Sequence, residues 1–571
     1  MRLKFAQIFR ALSVIMVILV LPLFAIAESE TAQATASIDI GLWSLAPAVI
    51  AIILALVFRE VISSLIIGIL VGAVILSFHN GDGFWYGILL YLPQELRDAL
   101  ADSGHMSVVL FSLLIGATVH VVSKNGGMMA VVKRIAKRAD DSRSGQLATY
   151  FLGIMIFFDD YANTMVVGNT MKPVTDKLRI SREKLAYIVD STAAPIAAIA
   201  FITTWIGAEL GYIQDGLNQI ETGGVEVGSA YGVFLSSLGY SFYPIFTLFF
   251  MFLLIVMRRD YGPMYKAEQR TRKAETFEGS GNPKEVDTVP EEKESIWNAL
   301  IPIGVIVLGT VWGLFYTGLQ EVAWNPETSL GSNLSAVIGE SDSYTALVWA
   351  SFSGLAVAIL ITVLRGIHKL TDTIEHAFDG MKFMLPALAI LGLAWTLAAL
   401  IEDLNTAEYL AGLIGDSFAP QLLPGIVFIM SGIIAFSTGT SWGTMAILYP
   451  LVLLTSWDIS IAAGLSQSAA YGIFANVVSG VLAGSVLGDH CSPISDTTIL
   501  SSMATGCDHV AHVKTQLPYA LTVGSVALII GTIPSAYGVP TWILFLAGAG
   551  VLYFTVSYFG KMPENPDIRA D

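Results

Sequence analysis

Residues 157–174, Phe-Phe-Asp-Asp-Tyr-Ala-Asn-Thr-Met-Val-Val-Gly-Asn-Thr-Met-Lys-Pro-Val, close the apolar run LATYFLGIMIFF and set two adjacent carboxylates directly behind it. An ionisable side chain at the centre of a bilayer costs roughly 2.5–3.5 kcal/mol on insertion scales. A chain that keeps Asp159 and Asp160 there gains something for the cost. On a regular helix the two lie about 100° apart, so both face one ligand only if the backbone unwinds. The plainer alternative is that one of them caps the outgoing helical arm.

The rest of the chain supports a lipid setting. Of 571 residues 54% are hydrophobic and 13% charged, against about 25% charged in an average soluble protein. Apolar runs near span length recur throughout, which marks a polytopic helical membrane protein. Two cysteines exclude a disulfide framework. The net charge of −16 belongs to acidic loops, which membrane topology tolerates. With no basic groove and no phosphate loop, neither nucleic acid nor a nucleotide cofactor is expected. Residues 1–27 read as a signal-like targeting segment: Arg2, Lys4 and Arg10, an apolar stretch, then Ala25-Ile26-Ala27 as a small-x-small cleavage site.

Eleven crossings are expected, at 43–58, 61–78, 106–123, 185–207, 231–257, 297–316, 344–364, 383–401, 461–487, 518–534 and 541–558. Two more apolar stretches, 147–171 and 421–456, are each broken by a polar motif. Lysines and arginines decide how these two run, because short cytoplasmic loops collect them. Basic clusters flank 147–171 on both sides, so it reads as a re-entrant hairpin from the cytoplasm. Between Phe383 and Val513 there is no Lys or Arg, so 421–456 reads as a hairpin dipping in from outside. This threading puts the mature N-terminus outside, the C-terminus inside and every basic residue except Arg97 in the cytoplasm. The domains are then an N-terminal transmembrane repeat, 43–257, a flexible charged cytoplasmic linker, 258–296, and a C-terminal repeat, 297–558. The basic segment 131–138 reads as a solvated or membrane-surface face.

The halves share punctuation. Tyr161-Ala162-Asn163-Thr164-Met165 matches Ser441-Trp442-Gly443-Thr444-Met445, and Ala193-Ala194-Pro195-Ile196 matches Cys491-Ser492-Pro493-Ile494. With hairpins from opposite faces, this is the pattern of an inverted-topology repeat, whose broken segments meet near the midplane. The fold class expected is therefore an all-α polytopic membrane protein with about 11 transmembrane helices and two re-entrant hairpins. Its ion-binding and proton-carrying groups would be Asp159, Asp160, Asp190, Asp489 and Asp496. Asn163, Thr164, Thr440, Ser441, Ser492 and Thr497 would supply neutral oxygens. That oxygen-only palette suits a hard cation such as Na⁺, and no basic residue lies in either hairpin. Serines and threonines in membrane helices also bond back to their own backbone. Gly480, Gly484 and Gly488, four apart, read as a smooth packing face.

Two segments, FFDDYANTMVVGNTMKPVTDKLRISREKLAYIVDSTAAPIAAI and GDHCSPISDTTILSSMATGCDH, resemble the NhaC-type Na⁺/H⁺ antiporter family of the ion transporter superfamily. The resemblance extends over residues 43–558. It implies a bacterial or archaeal inner-membrane secondary transporter, a homodimer with scaffold and moving domains, and no cofactor beyond the transported Na⁺ and H⁺. Relatives in that superfamily also exchange small carboxylates or amino acids, so such a cargo stays open. In the antiport reading, a buried carboxylate holds either a proton or Na⁺, and the empty charged carrier is too costly to reorient, which makes exchange obligatory.

A remote alternative is an intramembrane serine hydrolase. Gly439-Thr440-Ser441-Trp442-Gly443 fits G-x-S-x-G, but that elbow needs a strand before it. His490, His509, His512, Cys491 and Cys507 fall close together without a common zinc spacing. Neither an enzyme nor a transition-metal site is expected, and His509 and His512 are placed at the cytoplasmic end of a span, where they could sense pH.

Overall fold

The computed structural model describes residues 40–58, 60–136, 139–221, 228–273, 290–326, 330–406, 409 and 419–563. The signal-like segment 1–27 lies outside the described residues, as does 274–289 of the central linker. The described chain is helical throughout and contains no strand; its one β-type pairing is an isolated bridge between Asp260 and Lys561.

The helices that position the site, in chain order, are α1 (Ala46–Phe58), α2 (Val61–His79), α3 (Ser103–Lys124), α4 (Ser142–Met155), α5 (Asp160–Lys177), α6 (Arg182–Ala197), α7 (Ile206–Glu221) and α8 (Phe242–Met257). They continue with α9 (Gly262–Lys273), α10 (Trp297–Glu321), α11 (Ser343–Leu364), α12 (Leu370–Asp403), α13 (Leu423–Thr438), α14 (Ser441–Ala462), α15 (Gln467–Cys491), α16 (Asp496–Thr505), α17 (His509–Val526) and α18 (Thr541–Phe559). Inside apolar runs the backbone has no partner but itself, so helix is the form that satisfies it. Polar residues punctuate the ends: Glu60, Asp102, Asp141, Ser466 and Asp508 each accept a backbone N–H in the first turn of the helix that follows.

Among the described residues, eleven helices are long and apolar enough to cross a membrane. Nine of them coincide with expected crossings; the other two, Pro420–Thr438 and Ser441–Ala462, are the arms of the second broken stretch. The expected crossing 231–257 is a helix pair bent by 47°. The expected crossing 185–207 is interrupted: α6 ends at Ala197 just past Pro195, and a non-helical segment runs to Trp205 before α7. Thr203 starts α7 by accepting from the N–H groups of Trp205 and Ile206 at 3.1 and 3.2 Å.

The opening of the linker departs from the flexible segment read in the sequence. α9 buries Met264, Ala267 and Glu268. Asp260 pairs with the buried Lys184 of α6 at 2.6 Å and accepts from Tyr519 Oη at 2.7 Å. Glu268 accepts from the Ser181 N–H at 2.8 Å. Burial pushes the Glu268 carboxyl above its ordinary range, Asp260 adds to that, and Arg272 opposes it. Composition suggested a solvated tether because these charges find their partners on a helix distant in sequence.

Small residues set the packing of the second half. A Cβ on Gly484 would collide with the Phe428 carbonyl oxygen, and one on Gly488 would meet Ala435 Cβ at 2.5 Å. α13 and α15 therefore run backbone to backbone.

Candidate functional site

Helix breaks build the site. α4 ends at Met155 and α5 begins at Asp160, leaving Ile156–Asp159 outside regular structure. A helix that stops inside protein leaves its last carbonyls without partners. Asn163 supplies them: its Nδ2 donates to the carbonyls of Gly153 (2.7 Å) and Ile156 (3.2 Å) at the end of α4, and to that of Thr192 on α6 (3.0 Å). The Thr204 N–H, in the second break, donates to the Phe158 carbonyl at 2.9 Å. The two breaks of the first half thus touch.

The second half repeats the device. α13 ends at Gly439, whose φ of +73° is the left-handed conformation that favours glycine. Thr440 caps α14 by accepting from the Gly443 N–H at 3.4 Å. Ser492, in the break after α15, donates to the Phe436 carbonyl at 2.8 Å, and the Asp496 N–H donates to the Gly439 carbonyl at 3.3 Å. Here too a break of one helix pair meets a break further along the chain.

Three of the five expected carboxylates are fully buried where the halves join: Asp160 (2% exposed), Asp190 (0%) and Asp489 (3%). Ser441 Oγ donates to Asp489 Oδ2 at 2.5 Å. Thr498 Oγ1 bridges Asp190 Oδ2 and the Asp489 carbonyl, both at 3.2 Å. Gln516 Nε2 donates to Asp190 Oδ2 at 2.5 Å and to the His490 carbonyl at 3.0 Å. Asp160 lies beside the Trp205 indole and interacts electrostatically with Asp159 and Asp489, while Asp489 does so with Asp190 and Asp496. Asp159 is half-buried and Asp496 is exposed in the first turn of α16, so the set divides into three buried members and two flanking ones.

Each buried carboxylate keeps one oxygen without a hydrogen-bond partner: Oδ1 of Asp160, of Asp190 and of Asp489. Oδ1 of Asn163 is buried in the same condition. Such oxygens are costly to leave unpaired. A hard, oxygen-seeking cation or a proton is the kind of partner such oxygens accept.

The expected neutral ligands divide as well. Ser441 is bonded to a site carboxylate. Thr164 donates to the carbonyl of Asp160 on its own helix at 2.8 Å, Thr497 pairs with Ser495 at 3.1 Å, and Thr440 and Ser492 serve the helix ends. Sequence reasoning missed Thr498, Gln516, Trp205 and Glu209. Thr498 and Gln516 carried a signal, being polar groups in or beside an apolar span; their partner Asp190 lies in the other half of the chain. Glu209 is buried on α7 with both carboxylate oxygens unpartnered. Beyond Gln516 the bonds continue: Gln516 Oε1 to His512 Nε2 (3.0 Å), His512 Nδ1 to Ser502 Oγ (2.9 Å), and Ser502 Oγ to Nδ1 of the half-buried His509 (3.1 Å).

Ser441 opens a helix that follows another helix, without the strand a nucleophile elbow requires. Its hydroxyl is engaged by Asp489, while His490 Nδ1 shares a 2.8 Å bond with Tyr243 Oη.

A profile of the Na⁺/H⁺ antiporter family matches residues 196–533. The chain belongs to that family. It is 34% identical over 491 residues to an uncharacterized protein of Haemophilus influenzae, covering 85% of this chain and 89% of that one. A more distant relative is the arginine/ornithine antiporter ArcD of Halobacterium salinarum, 25% identical over 247 residues, 42% of either chain. Among solved structures, the YdaH transporter of Alcanivorax borkumensis superposes with a TM-score of 0.56 at 14% identity, over 79% of this chain and 90% of that one. That likeness concerns the fold alone. Family and helix content together make the chain a multi-pass membrane transporter.

Proposed function

We propose that this antiporter exchanges Na⁺ for H⁺, with Asp160, Asp190 and Asp489 carrying the ions in turn. The observation that carries the reading is the set of buried carboxylates from both halves, each with a free oxygen and none with a lysine or arginine among its hydrogen-bond partners. Uncompensated buried charge is disfavoured, so a proton or Na⁺ must occupy the group, and the two compete. Ser441, Thr498 and Gln516 orient the carboxylates, and the free Asn163 oxygen adds a neutral ligand. Asp159 and Asp496 line the approaches.

The paired breaks support an inverted repeat with two re-entrant hairpins, since each half joins a broken helix pair to a second break by one backbone hydrogen bond. Both arms of the second pair are long enough to cross, so cysteine labelling at Gly439 and Leu422 from either side of the membrane tests the dip. The charge distribution supports a cytoplasmic linker and C-terminus; assembly as an inner-membrane homodimer is proposed from the family resemblance alone.

The test is internal-pH fluorescence in proteoliposomes after a Na⁺ jump. The expected result is a saturable, Na⁺-dependent pH change that Asp160→Asn and Asp489→Asn abolish while folding normally. A flat trace from folded wild-type protein sinks the proposal. The relation to an arginine/ornithine antiporter favours a second cargo reading, exchange of amino acids or small carboxylates, and labelled arginine, ornithine and dicarboxylates in the same vesicles decide it.

A further inference from the structure

A second cluster of ligating side chains lies away from the buried carboxylates. α3 and α12 cross closely: a Cβ on Gly116 would stand 3.0 Å from the Gly380 carbonyl oxygen, and one on Gly380 would meet the Gly116 carbonyl oxygen and, at 2.7 Å, His120 Cβ. One turn beyond Gly116, His120 therefore faces the turn of α12 that carries His376 and Asp379. One ligand atom from each of these three half-buried residues lies within 4.8 Å of the others. His368 extends the group. Its ring packs edge-on to His376 at 5.1 Å, and its Nε2 shares a 3.1 Å bond with the Lys124 carbonyl.

We propose that His120, His376 and Asp379 bind a divalent transition-metal ion of the Zn²⁺ class, clamping α3 to α12. Two imidazoles and one carboxylate are ligands that zinc and its neighbours accept, and a three-ligand set leaves room for water. The i, i+3 spacing of His376 and Asp379 puts both on one face of α12. The close crossing fixes His120 opposite them, so little ordering remains for the metal to impose. Lys382 now pairs with Asp379 at 2.8 Å. An ion pair so exposed is weak, and a divalent cation displaces it. The sequence held no sign of this site because its ligands come from helices in different halves. The site shares no residue with the exchange reading and stands independently of it.

The experiment uses tag-free, chelator-stripped full-length protein in detergent, titrated with Zn²⁺ against a chromophoric chelator, with Co²⁺ absorption as a second readout. One ion per chain is expected. His120→Ala and His376→Ala should each weaken binding at least ~10-fold, His509→Ala should leave it unchanged, and Lys382→Met should tighten it. Metal should raise the unfolding temperature of the wild type and not that of the double variant His120→Ala/His376→Ala. Absence of saturable binding, or equal binding by the double variant, overturns the site. If a histidine variant fails to fold, Lys382→Met, which keeps every ligand, decides: tighter binding supports the site and unchanged binding rejects it.

Discussion

Replacing Asn163 by alanine tests whether the first break is held together by a single amide. Nδ2 carries two hydrogens and reaches three buried carbonyls, those of Gly153, Thr192 and Ile156, at 2.7, 3.0 and 3.2 Å. Two good bonds are the most it makes at once. A buried acceptor left without a donor costs about 1–3 kcal/mol, so Asn163→Ala should destabilise by roughly 2–6 kcal/mol, before any cavity contribution. Thr164→Ala is the matched control, since that hydroxyl only bonds back to its own helix. It should cost less than about 1 kcal/mol, the typical net worth of one hydrogen bond. The assay is equilibrium unfolding in mixed micelles, with Na⁺ present and absent. Asn163→Asp provides a sharper case, because it sets an oxygen against carbonyl oxygens. An Asn163→Ala protein as stable as Thr164→Ala would refute the account of the break.

Lys184→Met should destabilise by about 3–5 kcal/mol, the usual cost of stranding one member of a buried ion pair, because it leaves Asp260 with Tyr519 alone. Adding Asp260→Leu to it should recover part of the loss, and unfolding midpoints of the two singles and the double measure the coupling. Glu268 holds its proton more tightly folded than unfolded. Its contribution is therefore full at low pH and is lost as pH rises from the ordinary carboxylate range through its raised folded value. Glu268→Gln should gain stability relative to wild type as pH rises above the ordinary carboxylate range, and parallel pH profiles of the two proteins would contradict this.

Composition and apolar run length carried most of the helical architecture, because a backbone in lipid has few options. The basic residues and the broken motifs around Asp159–Asn163 and Gly439–Thr444 located the places where helices stop. What stayed hidden was long-range pairing. Nothing near Asp190 announces Thr498 or Gln516, and nothing near Lys184 announces Asp260. The break after Pro195 was also concealed, since residues 198–205 are apolar enough to pass for continuing helix. The type of Asn163 suggests an ion ligand; its amide nitrogen proves to be a splice for the backbone, and only its oxygen is left without a hydrogen-bond partner.

The line of bonds from His509 through Ser502 and His512 to Gln516 and Asp190 has an electrical meaning. Such a line conducts protons only if each member can accept one and release another. A hydroxyl and two imidazoles qualify, but a carboxamide has no proton it readily gives up and an oxygen it does not readily protonate. Gln516 is therefore an insulator placed at the inner end of an otherwise conductive string. Protons taken up by His509 and His512 therefore do not pass along this string to Asp190, which exchanges its own proton by another route.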